Sequence, residues 1–301
     1  MVLEKCELCP RRCGANRDAG ETGYCRAGAE PEIFRYGAHH GEEPPISLTS
    51  GSGTVFFSRC TMKCLYCQNF PWSQEGHGER YSVEGLAGIF RELHRQGCHN
   101  WNLVSPTPWL PLIREAVAAV KRDGISLPVV YNTSGFERVE ILAEYEGLTD
   151  IYLTDLRYSR SESARAGSDT AGYVDAARAA FLEMWRQKGP LQVDASGAAI
   201  SGTICRMLIL PGLANEAAEN LEWLSDHVGT EAAISLMSQY IPAHKAATRT
   251  PWNRPIARDE YELAVEAMER LGFTEGWVQD FERAAPKELM GFEMKSGPGR
   301  T

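Results

Sequence analysis

The sequence lacks several features that mark common classes of protein. Its 301 residues contain no run of eighteen apolar residues, so we expect no membrane-spanning helix and no membrane partner. The first residues, MVLEKCELCPRRC, have no apolar stretch like that of a secretory signal peptide, and we therefore expect a cytoplasmic protein. With a net charge of −9 and a pI near 5.4, the chain also lacks the basic excess that general binding to nucleic acid requires.

Disulfide bonds are not expected either, because clustered cysteines in a reducing cytoplasm are more typical of metal ligands. Seven of the nine cysteines lie in the first 67 residues, where they form two groups. The first group is Cys6, Cys9, Cys13 and Cys25, and the second is Cys60, Cys64 and Cys67. Cys98 and Cys205 stand alone, and we interpret both as buried small apolar side chains.

The chain from residue 51 onward alternates short apolar runs with amphipathic helical patterns. The predicted strands are 54–58, 102–105, 128–132, 151–154, 203–210 and 233–237. Six strand–helix units predict an α/β fold with a parallel sheet, built either as an open doubly wound sheet or as a partial (β/α)6 barrel. Residues 1–50 show little periodicity. We predict that they form a Cys-rich N-terminal extension, and that residues 51–301 form the barrel with a C-terminal extension ending in KSGPGRT.

The second cysteine group follows the first predicted strand directly, with C-x3-C-x2-C spacing. In α/β proteins the loops after the C-terminal ends of the strands build the functional site. A structural zinc site would recruit a fourth Cys or His, and no further cysteine follows nearby. A [4Fe–4S] cluster held by three thiolates leaves one iron open to a cofactor or substrate. A zinc site with a distant fourth ligand is the alternative.

This motif, with Tyr66 just before its last cysteine, resembles that of the radical S-adenosylmethionine (SAM) superfamily. The longer run GEEPPISLTSGSGTVFFSRCTMKCLYCQN resembles the PflX-like branch, which is related to pyruvate formate-lyase activating enzymes. The likeness extends over most of the chain through CELCPRRCGANR, NLVSPTPW, YLTDLRY, RMLILPG, LMSQYIPAH and GWVQDFE. Leu48 departs from the branch, in which a glycine is expected shortly after PPIS.

The resemblance implies a partial (β/α)6 radical SAM barrel that binds a [4Fe–4S] cluster and SAM. The reduced cluster would transfer one electron to SAM, releasing methionine and a 5′-deoxyadenosyl radical that abstracts hydrogen from a substrate. One candidate substrate is a glycyl-radical enzyme partner. The alternatives are radical modification of another peptide or a small molecule, and a non-catalytic iron–sulfur or zinc-binding interaction protein. An electron donor such as flavodoxin or ferredoxin is implied as a partner.

The resemblance also predicts residues that contact SAM. The backbone around Tyr66 is expected near the adenine, and the hydroxyls of Ser105 and Thr107 near the SAM amino group. Asp155 and Arg157 are the catalytic candidates, because activating enzymes carry an Asp-Leu-Lys motif there, near the SAM carboxylate and the substrate. The further candidates, each at the end of a predicted strand, are Asn132, Thr133 and Gln239. For each of these residues, strand capping or a local hydrogen bond is the alternative.

The first cysteine group could close a metal site with four thiolates. C-x2-C is a common half-site for zinc, and Cys13 and Cys25 would complete the shell around Cys6 and Cys9. A second iron–sulfur cluster is the alternative, although CELCPRRC lacks the C-x2-C-x2-C run of ferredoxins. A reduced loop without metal is the remaining interpretation.

Two further stretches carry polar residues of interest. His39, His40, Glu42 and Glu43 could act as metal ligands or acid–base groups, but a solvated connection is the more common role of such a stretch. A long loop after the last predicted strand is expected to face the mouth of the barrel, where it could contact a substrate. Its residues of interest are His244, Lys245 and Trp252.

Overall fold

The computed structural model describes residues 3–282 as ten strands and nine α-helices with two short 3-10 helices. The strands are β1 (Glu32–His39), β2 (Ser52–Phe57), β3 (Glu79–Arg80), β4 (Trp101–Val104), β5 (Val129–Thr133), β6 (Ile151–Asp155), β7 (Gln192–Val193), β8 (Ala199–Leu208), β9 (Ala233–Met237) and β10 (Gly276–Val278). The helices are α1 (Pro44–Ser47), α2 (Phe70–Ser73), α3 (Val83–Arg95), α4 (Leu110–Arg122), α5 (Val139–Glu144), α6 (Ser161–Ser168), α7 (Tyr173–Lys188), α8 (Ala214–Val228) and α9 (Arg258–Leu271). The tail KSGPGRT lies outside the described residues.

Nine of the strands form one open sheet in the order β10-β9-β8-β6-β5-β4-β2-β1-β3, and β7 pairs with β8. The six predicted strands correspond to β2, β4, β5, β6, β8 and β9, and neighbours among them pair in parallel. The prediction of an α/β fold with a parallel sheet is therefore confirmed, and the barrel is partial because its two edges do not meet. β10 adds a seventh parallel strand beside β9.

The helices form where the sequence pattern places an apolar face against the sheet. In α3, for example, five apolar side chains between Leu86 and Leu93 are buried. The helix follows its N-cap Ser82, whose hydroxyl accepts a hydrogen bond from the Gly85 amide (3.0 Å). Among residues 3–282, no helix is both long and apolar enough to cross a membrane.

β1 was not predicted, and it lies within the predicted N-terminal extension. It pairs antiparallel with β2, so residues 32–39 are part of the sheet. Charged side chains weaken the apolar pattern of this strand. One of them, Glu32, is 3% exposed and binds Arg59 at 2.5 Å. The boundary near residue 50 between extension and barrel stays a prediction.

The irregular segment before β1 packs on the barrel through arginines. Arg17 is 2% exposed, lies over the Trp109 ring, and donates hydrogen bonds to the carbonyls of Pro108 (2.5 Å) and Gly28 (2.7 Å). Arg11 donates from Nε to the Thr61 carbonyl at 2.7 Å. The segment that carries the first cysteine group is thereby attached to the loops that follow β2 and β4.

Candidate functional site

A cavity of about 370 Å³ lies at the C-terminal edge of the parallel strands. The C-terminal ends of neighbouring parallel strands lie at the same edge of the sheet, so side chains distant in sequence converge there. The predicted site residues that line the cavity are Cys60, Cys64, Cys67, Tyr66, Ser105, Asn132, Thr133, Asp155, Arg157 and Gln239. The structure thus brings together ten residues that the sequence analysis drew from five separate segments.

The loop that carries the second cysteine group is held against the C-terminal end of α6. The amides of Lys63 and Leu65 donate to the carbonyls of Ser168 (3.3 Å) and Gly167 (2.8 Å). A Cβ at Gly167 would lie 2.4 Å from the Tyr158 hydroxyl oxygen, so this close approach depends on glycine. The loop therefore takes its shape from tertiary contacts as well as from its own sequence.

Of the three thiols of this loop, Cys64 is buried and Cys60 and Cys67 are half-buried, and each has a hydrogen-bond partner. The Met62 amide donates to Cys60 Sγ at 3.4 Å, and Cys67 Sγ pairs with the Ser73 hydroxyl at 3.2 Å. Burial, together with the neighbouring Cys64 thiol, raises the pKa of Cys60 to about 12 and that of Cys67 to about 11. Coordination to a metal would remove these protons, because a bound cation stabilises the thiolates that burial disfavours.

Asp155 and Arg157 form an ion pair beside these thiols. The guanidinium donates from Nη2 and Nε to Asp155 Oδ2, at 2.5 and 2.9 Å, and from Nη1 to Cys64 Sγ at 3.0 Å. Burial opposes the charge of the guanidinium, but Asp155 and the Cys64 thiol outweigh it, so the pKa of Arg157 lies well above its usual value. Both side chains border the cavity at the cysteine loop, and their contact with SAM stays a prediction.

Tyr66 and the loop after β9 pack against each other. The Tyr66 ring stacks on Trp252 with centroids 5.5 Å apart, and the Ala246 amide donates to the Leu65 carbonyl at 2.9 Å. Trp252 is 6% exposed, so its ring is committed to the core and does not face the cavity mouth as expected. His244 stacks on Phe70, with ring centroids 4.6 Å apart. The later part of this loop therefore packs against the cysteine loop, while Gln239 at its start lines the cavity.

Thr107 is the one predicted SAM-binding residue that does not line the cavity. It is buried, and its hydroxyl donates to Glu137 Oε1 at 2.6 Å. Thr133 donates to the same oxygen at 2.5 Å. Glu137, which the sequence analysis missed, is 2% exposed. Its burial outweighs these hydrogen bonds and raises its pKa to about 7. The only sequence signal for Glu137 was an acidic residue placed close after a strand.

A second set of charges lines the cavity beside Asp155, because Arg206 of β8 pairs in register with Asp155 of β6. Arg206, near the C-terminal end of β8, donates from Nε to Glu43 Oε1 at 2.7 Å and also binds Glu42. Asn102 donates to Glu42 Oε1 at 2.8 Å. Although burial opposes ionisation, Arg206 keeps the pKa of Glu42 below its usual value. The interpretation of this stretch as a solvated connection is therefore wrong for the two glutamates. His39 also lines the cavity.

The first cysteine group surrounds a separate, much smaller cavity. All four side chains line a space of about 10 Å³, together with Thr107 and Pro108 from the turn after β4. A Cβ at Gly23 would lie 2.3 Å from Cys13 Sγ, so this thiol needs glycine opposite it. Burial raises the pKa of Cys9 to about 12 and also raises that of Cys25.

None of the nine cysteines forms a disulfide. In neither group are the side chains already placed as metal ligands, since no three Cys, His, Asp or Glu side chains within residues 3–282 have that arrangement. Cys98 and Cys205 are 3% and 0% exposed, so the interpretation of both as buried side chains is confirmed.

Comparisons with known proteins give distant relatives. No protein-family model matches the chain. The uncharacterized protein MJ0674 of Methanocaldococcus jannaschii is 28% identical over 279 residues, which cover 89% of this chain and 75% of that protein. The solved structure of anSMEcpe with bound AdoMet has a TM-score of 0.46 and 9% identity, covering 70% of this chain and 57% of that one.

Streptococcus suis SuiB bound to S-adenosylmethionine has a TM-score of 0.46 and 12% identity, covering 73% of this chain and 48% of that one. The chain thus spans about half the length of these two solved proteins. Similarity at this level leaves the function to be argued from the residues of the site.

Proposed function

We propose that the protein is a radical SAM enzyme whose [4Fe–4S] cluster is held by Cys60, Cys64 and Cys67. The observation that carries this proposal is the convergence of three cysteine thiols on one large cavity at the C-terminal edge of the sheet. When bound, the reduced cluster supplies the electron that cleaves SAM into methionine and a 5′-deoxyadenosyl radical. The thiols fit this group, because they adjoin a space of about 370 Å³ in which SAM can approach them.

The chain's own residues would bind and orient SAM in this cavity. Ser105, Asn132, Thr133 and Gln239 line the cavity and carry hydroxyl and amide groups that could bind SAM. Arg157 holds its guanidinium between a carboxylate and a cysteine sulfur, so it can orient an anionic group of SAM without being free to move away. Orientation of this kind lowers the entropic cost of bringing the reacting atoms together.

The substrate would bind beside SAM in the same cavity. A glycyl-radical enzyme is the leading candidate through the resemblance to activating enzymes, and another peptide or a small molecule is the alternative. A flavodoxin or ferredoxin of the cytoplasm would supply the electron. A non-catalytic iron–sulfur or zinc-binding protein is the competing function, and cleavage of SAM separates it from both enzymes.

The proposal is tested with anaerobically prepared protein, SAM and a strong reductant. We expect slow release of methionine and 5′-deoxyadenosine, and transfer of deuterium into 5′-deoxyadenosine when a labelled true substrate is present. The Asp155→Asn variant should keep its iron but lower the substrate-dependent turnover at least tenfold, because Arg157 loses its partner. Protein with a full, reduced cluster that never cleaves SAM would contradict the enzyme and favour the non-catalytic function.

We also propose that Cys6, Cys9, Cys13 and Cys25 bind one zinc ion. What supports zinc over a second cluster is the size of the cavity, since about 10 Å³ is the space of roughly one water molecule. Elemental analysis of a variant in which Cys60, Cys64 and Cys67 are Ala isolates this site. One equivalent of zinc supports the proposal. Residual iron with sulfide indicates a cluster instead, and the absence of both metals contradicts either site.

A further inference from the structure

The three sulfurs of the cysteine loop receive hydrogen bonds of unequal strength. Cys60 accepts from the Met62 amide at 3.4 Å, and Cys67 pairs with the Ser73 hydroxyl at 3.2 Å and also has a backbone hydrogen bond from Asn69. Cys64 has two shorter contacts, from Arg157 Nη1 at 3.0 Å and from the Ser168 hydroxyl at 2.9 Å. Cys64 therefore differs from the other two thiols in having two shorter hydrogen-bond contacts.

The Ser168 hydroxyl is the last member of a chain of hydroxyl groups. Tyr66 and Tyr158 lie 2.7 Å apart through their hydroxyl oxygens, and Tyr158 lies 2.7 Å from the Ser168 hydroxyl. A thiolate can only accept a hydrogen bond, so Ser168 must donate to Cys64 and accept from Tyr158. Tyr158 must in turn accept from Tyr66. Each donor is polarised by the one behind it, which strengthens the bond to the sulfur.

The chain of hydroxyls is built into the fold and shielded from water. The exposed fractions are 4% for Tyr66, 1% for Tyr158 and 0% for Ser168. The position of Ser168 is set by α6, whose last residues also bind the backbone of the cysteine loop. Because water cannot replace a lost donor at this depth, removal of one hydroxyl would leave the sulfur with one fewer hydrogen bond.

We propose that Ser168 is a positioning residue that donates a hydrogen bond to the Cys64 thiolate and thereby raises the reduction potential of the bound cluster. This inference rests on the proposed function. Hydrogen bonds to cluster sulfurs stabilise the more negative, reduced state, so each donor makes the cluster easier to reduce. Tyr158 and Tyr66 contribute through Ser168 and not by direct contact with the sulfur.

The test is an anaerobic redox titration of the holoenzyme, followed by the EPR signal of the reduced cluster. In Ser168→Ala, at the midpoint potential of the wild type, the ratio of reduced to oxidised cluster should fall about threefold. A threefold change corresponds to part of the net strength of one hydrogen bond. Only part is expected, because the bond to Cys64 exists with the oxidised cluster as well and is stronger with the reduced cluster. Tyr158→Phe should shift the ratio less, in the same direction. The matched control is Ser163→Ala on the same helix, where the hydroxyl binds Glu216, and no shift is expected.

Iron and sulfide are measured first in every protein. A wild type without a cluster would overturn the proposed function and this inference together. A full cluster in Ser168→Ala with the potential of the wild type would overturn the inference alone. If Ser168→Ala loses its cluster, Tyr158→Phe decides: a full cluster with an unchanged potential there overturns the inference as well.

Discussion

The two cysteine groups are surrounded by very different spaces. Cys60, Cys64 and Cys67 border a cavity of about 370 Å³ lined by charged and polar side chains, whereas the four N-terminal cysteines surround about 10 Å³. The first space has room for a molecule the size of a cofactor. The second has room for about one water molecule or one ion. Three ligands beside a large cavity are typical of a reactive centre, and four ligands around a small one are typical of a structural site.

The two groups also differ in the chemistry of their neighbours. Each sulfur of the second group has a hydrogen-bond partner, and an Arg–Asp ion pair lies beside Cys64. In the first group, the Cys13 thiol contacts the Cys6 carbonyl at 3.8 Å, Cys9 and Cys25 have backbone hydrogen bonds, and no ion pair adjoins a thiol among the described contacts. Two side chains lie between the groups: Arg11 binds the cysteine loop, and Glu137 binds Thr107 of the small cavity and Thr133 of the large one. The N-terminal segment therefore contacts the cysteine loop directly, through Arg11.

The largest effect should come from removing one group and leaving the other. Replacing Cys60, Cys64 and Cys67 by Ala should abolish both cluster iron and SAM cleavage, because no thiolate remains at the large cavity. Metal at the N-terminal group should be unchanged. Elemental analysis, absorption spectra and product assays measure these outcomes.

Replacing the four N-terminal cysteines by Ala should do the reverse, with cluster iron retained and the second metal lost. Cys98→Ala, at an isolated buried cysteine, is the control and should change neither metal. If the triple variant kept its iron, or lost both metals together, the two groups would not be the separate sites that this comparison requires.

Glu137 should make stability depend on pH. Its pKa is raised from 4.5 to about 7, so folding favours the protonated form. The stability it contributes is fully present below pH 4.5 and is lost as pH rises to about 7, a change of about 3 kcal/mol. Glu137→Gln cannot ionise. Its free energy of unfolding relative to the wild type should therefore rise by that amount between pH 4.5 and 7, measured by urea denaturation.

Glu140→Gln is the matched control for this change. Glu140 is an exposed carboxylate close by, with a lowered pKa, so its stabilising effect is present at neutral pH and lost as pH falls. The Gln variant at that position should therefore show no relative gain as pH rises. A difference between Glu137→Gln and wild type that is independent of pH would show that Glu137 is already ionised in the folded protein.

Arg11 should matter more than its neighbour Arg12. Arg11 donates to the Thr61 and Asp169 carbonyls and to the Thr170 hydroxyl, at 2.7, 2.9 and 2.8 Å. Arg11→Ala should lower the free energy of unfolding by about 2 kcal/mol, because partly buried acceptors lose a charged donor. It should also speed loss of the cluster in air, since the cysteine loop loses its support.

Arg12→Ala serves as the control. Arg12 reaches Glu140 at 3.6 Å with both side chains more than half exposed, and such pairs contribute little. The two variants are compared by urea denaturation and by the decay of the cluster absorbance. Equal behaviour would mean that the N-terminal segment does not support the cysteine loop.

The smallest effect is expected at Leu48, in the segment that joins the two regions. Its φ is 39° and its ψ is −139°, a conformation that strains an L-residue and suits glycine. Leu48→Gly should stabilise the protein by up to about 1 kcal/mol, since relief of strain exceeds the entropy that glycine loses on folding. Leu48→Ala keeps the strain and should not stabilise. A loss of stability in the Gly variant, measured as a lower midpoint of urea unfolding, would contradict this account.

The sequence by itself determined the repeated strand–helix units and where along the chain the six predicted parallel strands lie. The period and length of an apolar run depend on neighbours within one segment, so β9 could be predicted with its bounds. The motif after β2 also follows from local spacing. These features require no knowledge of which segments meet in space.

Only the tertiary structure decided which side chains meet at the two cavities. Arg206 and Glu43 are 163 positions apart in the sequence, and Ser168 and Cys64 are 104 positions apart. No local sequence pattern therefore predicts either contact. Thr107 shows the opposite case, because a turn that looked suited to SAM points its hydroxyl at the buried Glu137. A side chain's role at a sheet edge depends on the packing of several elements, and that packing is a property of the whole fold.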